Sequence, residues 1–355
     1  MAPEHIPARA LQPIVDPADW RAEEMQTDES WIYRLSAADR DEIMAAVEAV
    51  QARGTDFLAL DRAGFELPKF AATLAEIRRE VLFGRGFVLL RGLEIDPADR
   101  QTAALAFWGV GMHLGDSALS QNAKGHVLGH VKDIGQTKGN VLQRGPYSRE
   151  GIPYHCDACD VVALYCVHPA KQGGASSIVS SVRIYNELLA LRPDMVEALM
   201  QPIYRDRRGE VPPEMEDWYA IPIFNVHEGW FSANVEPTYI GSAERFDQVP
   251  PKSALQREAL EEVQRLSDEL HFAMGFQQGD MQFINNHVTF HSRTAYEEFE
   301  EPERKRHLLR LWLKCHDGRP LPHWFYDRHG KTGTIDRPGG IVGPDTVLNT
   351  PLEAA

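Results

Sequence analysis

"RHLLRLWLK", residues 306–314, alternates strictly. On an extended strand Arg306, Leu308, Arg310 and Trp312 fall on one face, and His307, Leu309, Leu311 and Leu313 on the other. The second face is apolar enough to pack, so the strand does not read as an exposed edge. The first face carries two arginines. Turned toward solvent, they are plain surface charge. Turned into a barrel, they need an anionic guest, because unpaired charge is costly to bury. A dicarboxylate is an apt guest, since a guanidinium fork matches carboxylate geometry.

Working outward, "MQFINNHVTFHSR" (281–293) is also strand-like and contributes His287 and His291. Far upstream, "GIPYHCDACDVVALYC" (151–166) sets His155 and Asp157 two positions apart before an apolar run. On a strand, residues so spaced aim at one point. With a third ligand from another strand they would form the 2-His-1-carboxylate triad that leaves open positions on non-haem Fe(II). Alone, a His-x-Asp pair is a weak signal. The same stretch spells Cys156-x-x-Cys159, but a structural zinc site wants a second such pair, which Cys166 and Cys315 do not form. A thioredoxin-like pair would precede a helix, and here a strand follows. The cysteines read as packing.

The remaining chain supplies helices. "SAADRDEIMAAVEAVQARG" reads as one, capped by Ser36, with Ile43, Val47 and Val50 on a face and Gly54 as its stop. Another spans about Lys69–Phe83, "FVLLRGL" follows as a buried strand, and Asp96-Pro97 opens a further helix. "HVLGHVKDI" and "VVALYCV" read as strands, "VRIYNELLALRPDMVEALM" as one helical patch, and "EVPPEMEDWYAIPIF" as irregular. "SALQREALEEVQRLSDELHF" is a helix with Ser253 and Gln256 as its capping box. Scattered β segments among helical insertions lack the regular βαβα alternation of a doubly wound sheet. They fit a decorated β-barrel or jelly roll.

The 355 residues are 43% hydrophobic and 25% charged, the make-up of a globular protein with a sizeable core. A formal charge of −15 argues against generic nucleic-acid or anionic-membrane binding. Four cysteines are too few for a disulfide scaffold, and no signal-peptide core or bilayer-length apolar run is present, so a cytoplasmic location is expected.

"YHCDACDVVALYCVHPAKQGGASSIVSS" together with "GDMQFINNHVTFHSRTAYEEFEEPERKRHLLRLWL" resembles the taurine dioxygenase (TauD/TfdA) family of Fe(II)/2-oxoglutarate-dependent oxygenases, over roughly Phe87 to Lys314. The resemblance implies a mainly β protein with α insertions: a double-stranded β-helix, or jelly-roll, cupin-like barrel, flanked by helices. The expected organisation is an arm and helical layer over residues 1–65, an oxygenase domain over 66–335 and a tail over 336–355. His155, Asp157 and His291 correspond to the iron ligands, and His287 sits where the family binds no metal. Arg306 corresponds to the arginine that holds the distal carboxylate of 2-oxoglutarate, and Ser176 to a hydroxyl on the same carboxylate. Arg310 matches a position that in some members holds an acidic group of the substrate. The implied activity is oxidation, most simply hydroxylation, of a C–H bond in a small acidic molecule by O2, with release of succinate and CO2. Halogenases of this type lack the carboxylate, so Asp157 argues against halogenation. The alternatives are a metal-dependent hydrolase or isomerase on a cupin-like barrel, which has no need of the arginine pair, and a non-catalytic barrel for an anionic metabolite. The aromatic stretch "DWYAIPIFNVHEGWFSANV" and the loop before Pro153 are candidates for a pocket wall or lid, and a homo-oligomer is a fair expectation.

Overall fold

A computed structural model of the chain describes residues 4–135, 147–211, 215–327 and 337–354. The polar, Gly-rich run before Pro153 falls largely outside the described residues. Eleven strands build the two main sheets and are numbered in chain order. They are β1 (Ile32–Arg34), β2 (Phe87–Arg91), β3 (Ser117–Ala118), β4 (Gly129–Val131), β5 (Ile152–His155), β6 (Val161–His168), β7 (Ser176–Ser180), β8 (Phe272–Met274), β9 (Met281–Asn285), β10 (Thr289–Arg293) and β11 (His307–Lys314). The larger sheet runs β1-β2-β9-β6-β11-β3, with β4 also paired to β11. The smaller runs β8-β7-β10-β5. Every pairing is antiparallel except β1 with β2.

Strand β11 holds the arrangement together because its two faces meet different partners. Leu309, Leu311 and Leu313 enter the main core with Phe107 and Val110 of the Arg100–Leu114 helix. Burying each contributes about 1.5–3 kcal/mol. The opposite face looks toward the smaller sheet: Trp312 shares a cluster with Ile178, Phe272 and Met274. The arginines therefore point between the sheets and not into solvent.

Helix ends follow local chemistry. The Ala37–Arg53 helix has its capping box, the Ser36 hydroxyl accepting the Asp39 N–H at 3.2 Å and the Asp39 carboxylate accepting the Ser36 N–H at 2.8 Å. Gly54 closes it at φ 64°. Ser253 and Gln256 cap Ala254–Leu270 in the same way, at 3.0 and 3.1 Å.

Several local expectations are corrected. Asp96 does not open a helix; its carboxylate accepts the Ala98 N–H in a turn, and Asp99 caps the helix that starts at Arg100. The patch from Val182 to Met200 breaks into Ser181–Leu191 and Pro193–Leu199, since Pro193 has no N–H to continue the first helix. The stretch expected to be irregular forms strands Trp218–Ile221 and Phe224–His227, in hairpins with Ile203–Asp206 and Trp230–Ala233. The strand expected over "HVLGHVKDI" shrinks to β4.

The N-terminal arm is tied in by charge. Arg319 donates two hydrogen bonds to Asp16, at 2.7 and 2.9 Å, and both side chains have 0% exposure. Burial would raise the Asp16 carboxyl, but Arg319 outweighs it and holds the group below the usual range. His5 stacks on Trp230 with ring centres 3.8 Å apart, and the Arg319 guanidinium lies 5.0 Å from the centre of that indole. Leu35, Val47 and Phe65 pack in the same cluster as Phe107 and Leu309, so no break in the core falls near residue 65. No helix among the described residues is long and apolar enough to cross a membrane.

Candidate metal centre

His155 ends β5 and is the register partner of His291 on β10, which places their ring centres 4.2 Å apart. Asp157 is not on the strand. It lies in the turn beyond, where its N–H donates to Asn286 Oδ1 at 3.0 Å and its carbonyl accepts the Cys159 N–H at 2.9 Å. The alternation of an extended strand therefore does not aim the carboxylate; Asn286, in the turn between β9 and β10, fixes the backbone that carries it. Nothing in the sequence signalled Asn286.

The side chains converge without touching. Asp157 Oδ1 stands 3.8 Å from His155 Nε2, and Oδ2 stands 3.8 Å from His291 Nε2. One ligand atom from each residue lies within 4.8 Å of the others. Both spacings exceed hydrogen-bond length. Bonds of about 2.0–2.2 Å to a shared divalent ion would set adjacent ligand atoms about 3–3.6 Å apart. His155 Nδ1 lies 2.9 Å from the Pro153 carbonyl, which can only accept, so Nδ1 carries a proton and Nε2 is the nitrogen that faces the cluster. His291 is buried, and burial with the nearby His155 pushes its pKa down to about 3, so its imidazole is neutral near pH 7. A carboxylate and two imidazoles around a gap too wide for mutual hydrogen bonds fit a divalent metal.

Asp157 is held from behind. Trp312 Nε1 donates to its Oδ2 at 2.8 Å and Arg310 Nη1 at 3.2 Å, while Arg310 Nε donates to Gln121 at 2.7 Å. Burial would raise the Asp157 carboxyl, but Arg310, His291, His155 and the Trp312 N–H hold it down at about 2. The carboxylate is thus ionised near pH 7. In the sequence Trp312 is only one member of a strand face; its bond to Asp157 has no local signal.

His155, Asp157, His291 and Arg310 line a pocket between the sheets, with Arg306 and Ser176 in the same wall. Arg306 is 2% exposed; its Nη2 donates to the Gly174 carbonyl at 3.3 Å, and its Nη1 is buried without a partner. Gly174 adopts φ 68°, and a Cβ there would sit 3.0 Å from Arg306 Nε, so glycine lets the guanidinium lie close to the backbone. The Ser176 hydroxyl donates to Gln282 at 2.9 Å. Val131, Leu164, Phe276 and Leu308 supply apolar wall, and Ser292 and Arg293 add polar lining.

His287 stays apart from the cluster. Its Nε2 meets Asp160 Oδ1 at 2.7 Å, and Asp160 also accepts from Arg337 at 3.3 Å and from the Cys315 N–H at 2.8 Å. The group is a buried brace. All four cysteines are buried. The stretch from Asp217 to Val235, expected as a pocket wall or lid, contributes no lining residue; Ile223, Phe224 and Phe231 pack instead into a separate core.

Residues 49–312 match the family described as taurine catabolism dioxygenase TauD, TfdA. FR-33289 synthase of Streptomyces rubellomurinus is 31% identical over 319 residues, covering 88% of this chain and 93% of that protein. The taurine hydroxylase-like protein SAT17 of Stachybotrys chartarum is 29% identical over 317 residues, covering 86% of this chain and 81% of that one. Among solved structures, asparagine oxygenase in complex with Fe(II), 3-hydroxyasparagine and succinate superposes with a TM-score of 0.62 at 18% identity, over 80% of this chain and 93% of that one. That likeness is one of fold.

Proposed function

Because the chain belongs to the TauD/TfdA family of Fe(II)- and 2-oxoglutarate-dependent oxygenases, we propose that it hydroxylates an unactivated C–H bond of a small acidic molecule, using O2 and releasing succinate and CO2. The observation that carries this reading is the shared pocket: His155, Asp157 and His291 converge on one point, and the buried Arg306 opens on the same space. The two sheets that enclose it are read as the double-stranded β-helix.

In this reading His155 Nε2, an Asp157 carboxylate oxygen and a His291 ring nitrogen hold the ferrous ion. Bound there with 2-oxoglutarate, the iron supplies oxidative decarboxylation coupled to two-electron oxidation of the substrate C–H. Everything else is done by side chains. Arg306 and the Ser176 hydroxyl hold the distal carboxylate of 2-oxoglutarate, a charge-assisted contact in a site without competing water. Trp312 and Arg310 keep Asp157 ionised and correctly turned. Arg310, also in the pocket wall, takes an acidic group of the substrate as a further partner of its guanidinium. Val131, Leu164, Phe276 and Leu308 exclude water from the reacting centre. A metal-dependent hydrolase would leave the buried Arg306 without use, and Asp157 occupies the position a halogenase would leave for halide.

Anaerobic addition of Fe(II) and 2-oxoglutarate should give the weak visible charge-transfer band of the chelate, and His155→Ala should abolish it. A panel of small acids and amino acids, screened for substrate-dependent succinate formation, then identifies the substrate. Absence of the band, with zinc in the purified protein, would favour the hydrolase.

A further inference from the structure

The geometry points to Arg293 as a second cationic contact for the distal carboxylate of 2-oxoglutarate, working beside Arg306. The inference deepens the reading above and rests on it. Arg293 lies two positions beyond His291 on β10 and is the register partner of Ser176 on β7, so it adjoins a residue already assigned to that carboxylate. It lines the same pocket as Arg306 and the metal cluster.

The two guanidiniums share one aromatic ring. The carbon at the centre of the Arg293 guanidinium lies 5.0 Å from the Tyr296 ring centre, and that of Arg306 lies 4.9 Å from it. The ring's negative face is attractive to cations and lets two of them sit nearer each other than they would in a purely aliphatic wall. Their mutual repulsion remains. Burial, with Arg306 close by, pushes Arg293 down to about 10.

Donor accounting gives the stronger argument. Arg293 is 6% exposed. Its Nη2 donates to the Ser148 carbonyl at 2.7 Å and also to that of Glu150, which fixes the fork in place. Its Nε and Nη1 are buried with no partner, as is Arg306 Nη1. Three charged N–H-bearing nitrogens in one wall are thus left without acceptors, at a cost no isolated structural role explains. Glu298 answers only part of it, since its Oε2 is taken by the Arg306 backbone N–H at 2.8 Å. A carboxylate has two oxygens and about four lone-pair sites, enough to accept from both arginines, and from Ser176 once its hydroxyl turns away from Gln282. Because Nη2 is already tied down, Arg293 loses little freedom on binding.

The test is anaerobic titration of the Fe(II)-loaded protein with 2-oxoglutarate, read by the chelate band, with thermal melting as a fold check. Arg293→Met should raise the dissociation constant roughly 10- to 100-fold, the effect of losing a buried charge-assisted contact, while the band keeps its position. Arg306→Met is run beside it. An unchanged constant in Arg293→Met, with a raised one in Arg306→Met, overturns this inference alone. No band in the unsubstituted protein overturns the function proposed above as well. Should Arg293→Met not fold, Arg293→Lys decides: it keeps the charge but loses the fork, so a several-fold rise is expected and an unchanged constant refutes the contact.

Discussion

Trp312 donates its indole N–H to Asp157 Oδ2 at 2.8 Å, across 155 positions of sequence. The bond joins β11 of the larger sheet to the turn that carries the candidate carboxylate ligand. It means that β11 does more than line the pocket, since it sets the orientation of Asp157.

Trp312→Phe keeps an aromatic ring but removes the indole N–H together with the five-membered ring that carries it. Fe(II) affinity should fall roughly 10- to 100-fold, as for other partners that orient metal ligands, with some loss of thermal midpoint from the space left in the core. Metal titration of the purified variant measures it. Affinity equal to that of the parent would mean that Arg310 alone suffices to hold the carboxylate.

Arg306→Ala should raise the 2-oxoglutarate requirement by roughly 10-fold or more and leave Fe(II) binding intact, because Arg306 touches none of the three candidate ligands. Succinate formation against 2-oxoglutarate concentration, with a parallel metal titration, separates the two effects. An unchanged requirement would move the role to Arg310.

A histidine pair should make stability pH-dependent. His130 Nε2 lies 2.9 Å from the Pro351 carbonyl, which can only accept, so His130 Nδ1 is bare and His307 Nε2 donates to it at 2.7 Å. His307 Nδ1 is buried with no partner. Burial, then His130, pushes His307 down from 6.5 to about 2. A depressed histidine contributes stability that is fully present above its unfolded value and is lost as pH falls from there toward the folded value. Between pH 7.5 and pH 5, His307 should therefore cost the fold about 2 kcal/mol. Urea denaturation at the two pH values checks this, and the loss should be smaller by about that amount in His307→Gln.

The arm should prove integral to the fold. Asp16→Ala strands Arg319 without its buried partner and should cost about 3–5 kcal/mol. The double variant Asp16→Leu/Arg319→Met should recover much of the loss. If Asp16→Ala melts like the parent, the arm is dispensable.

Much of this protein is legible one segment at a time. The capping boxes at Ser36 and Ser253, the apolar stripe of Ile43, Val47 and Val50, and the two-faced pattern of β11 are local features. Each appears in the structure where the sequence places it. Where local signals competed, reading was poorer: Asp96-Pro97 can start a helix or a turn, and the choice went to Asp99, whose carboxylate reaches the Thr102 N–H. The candidate ligands His155, Asp157 and His291 were nameable as residues from the family resemblance.

What no segment contains is the register between distant segments. His155 faces His291 only because β5 pairs with β10 at those positions, and Asp157 joins them only because Asn286 holds its backbone. The Trp312–Asp157 bond, the shared Tyr296 ring between Arg293 and Arg306, and the Asp16–Arg319 pair arise in the same way. Periodicity and capping depend on neighbours a few residues apart, so the sequence alone determines which elements form and which faces they bury. Which side chains meet depends on how the sheets pack and pair, a long-range outcome that only the tertiary structure decided.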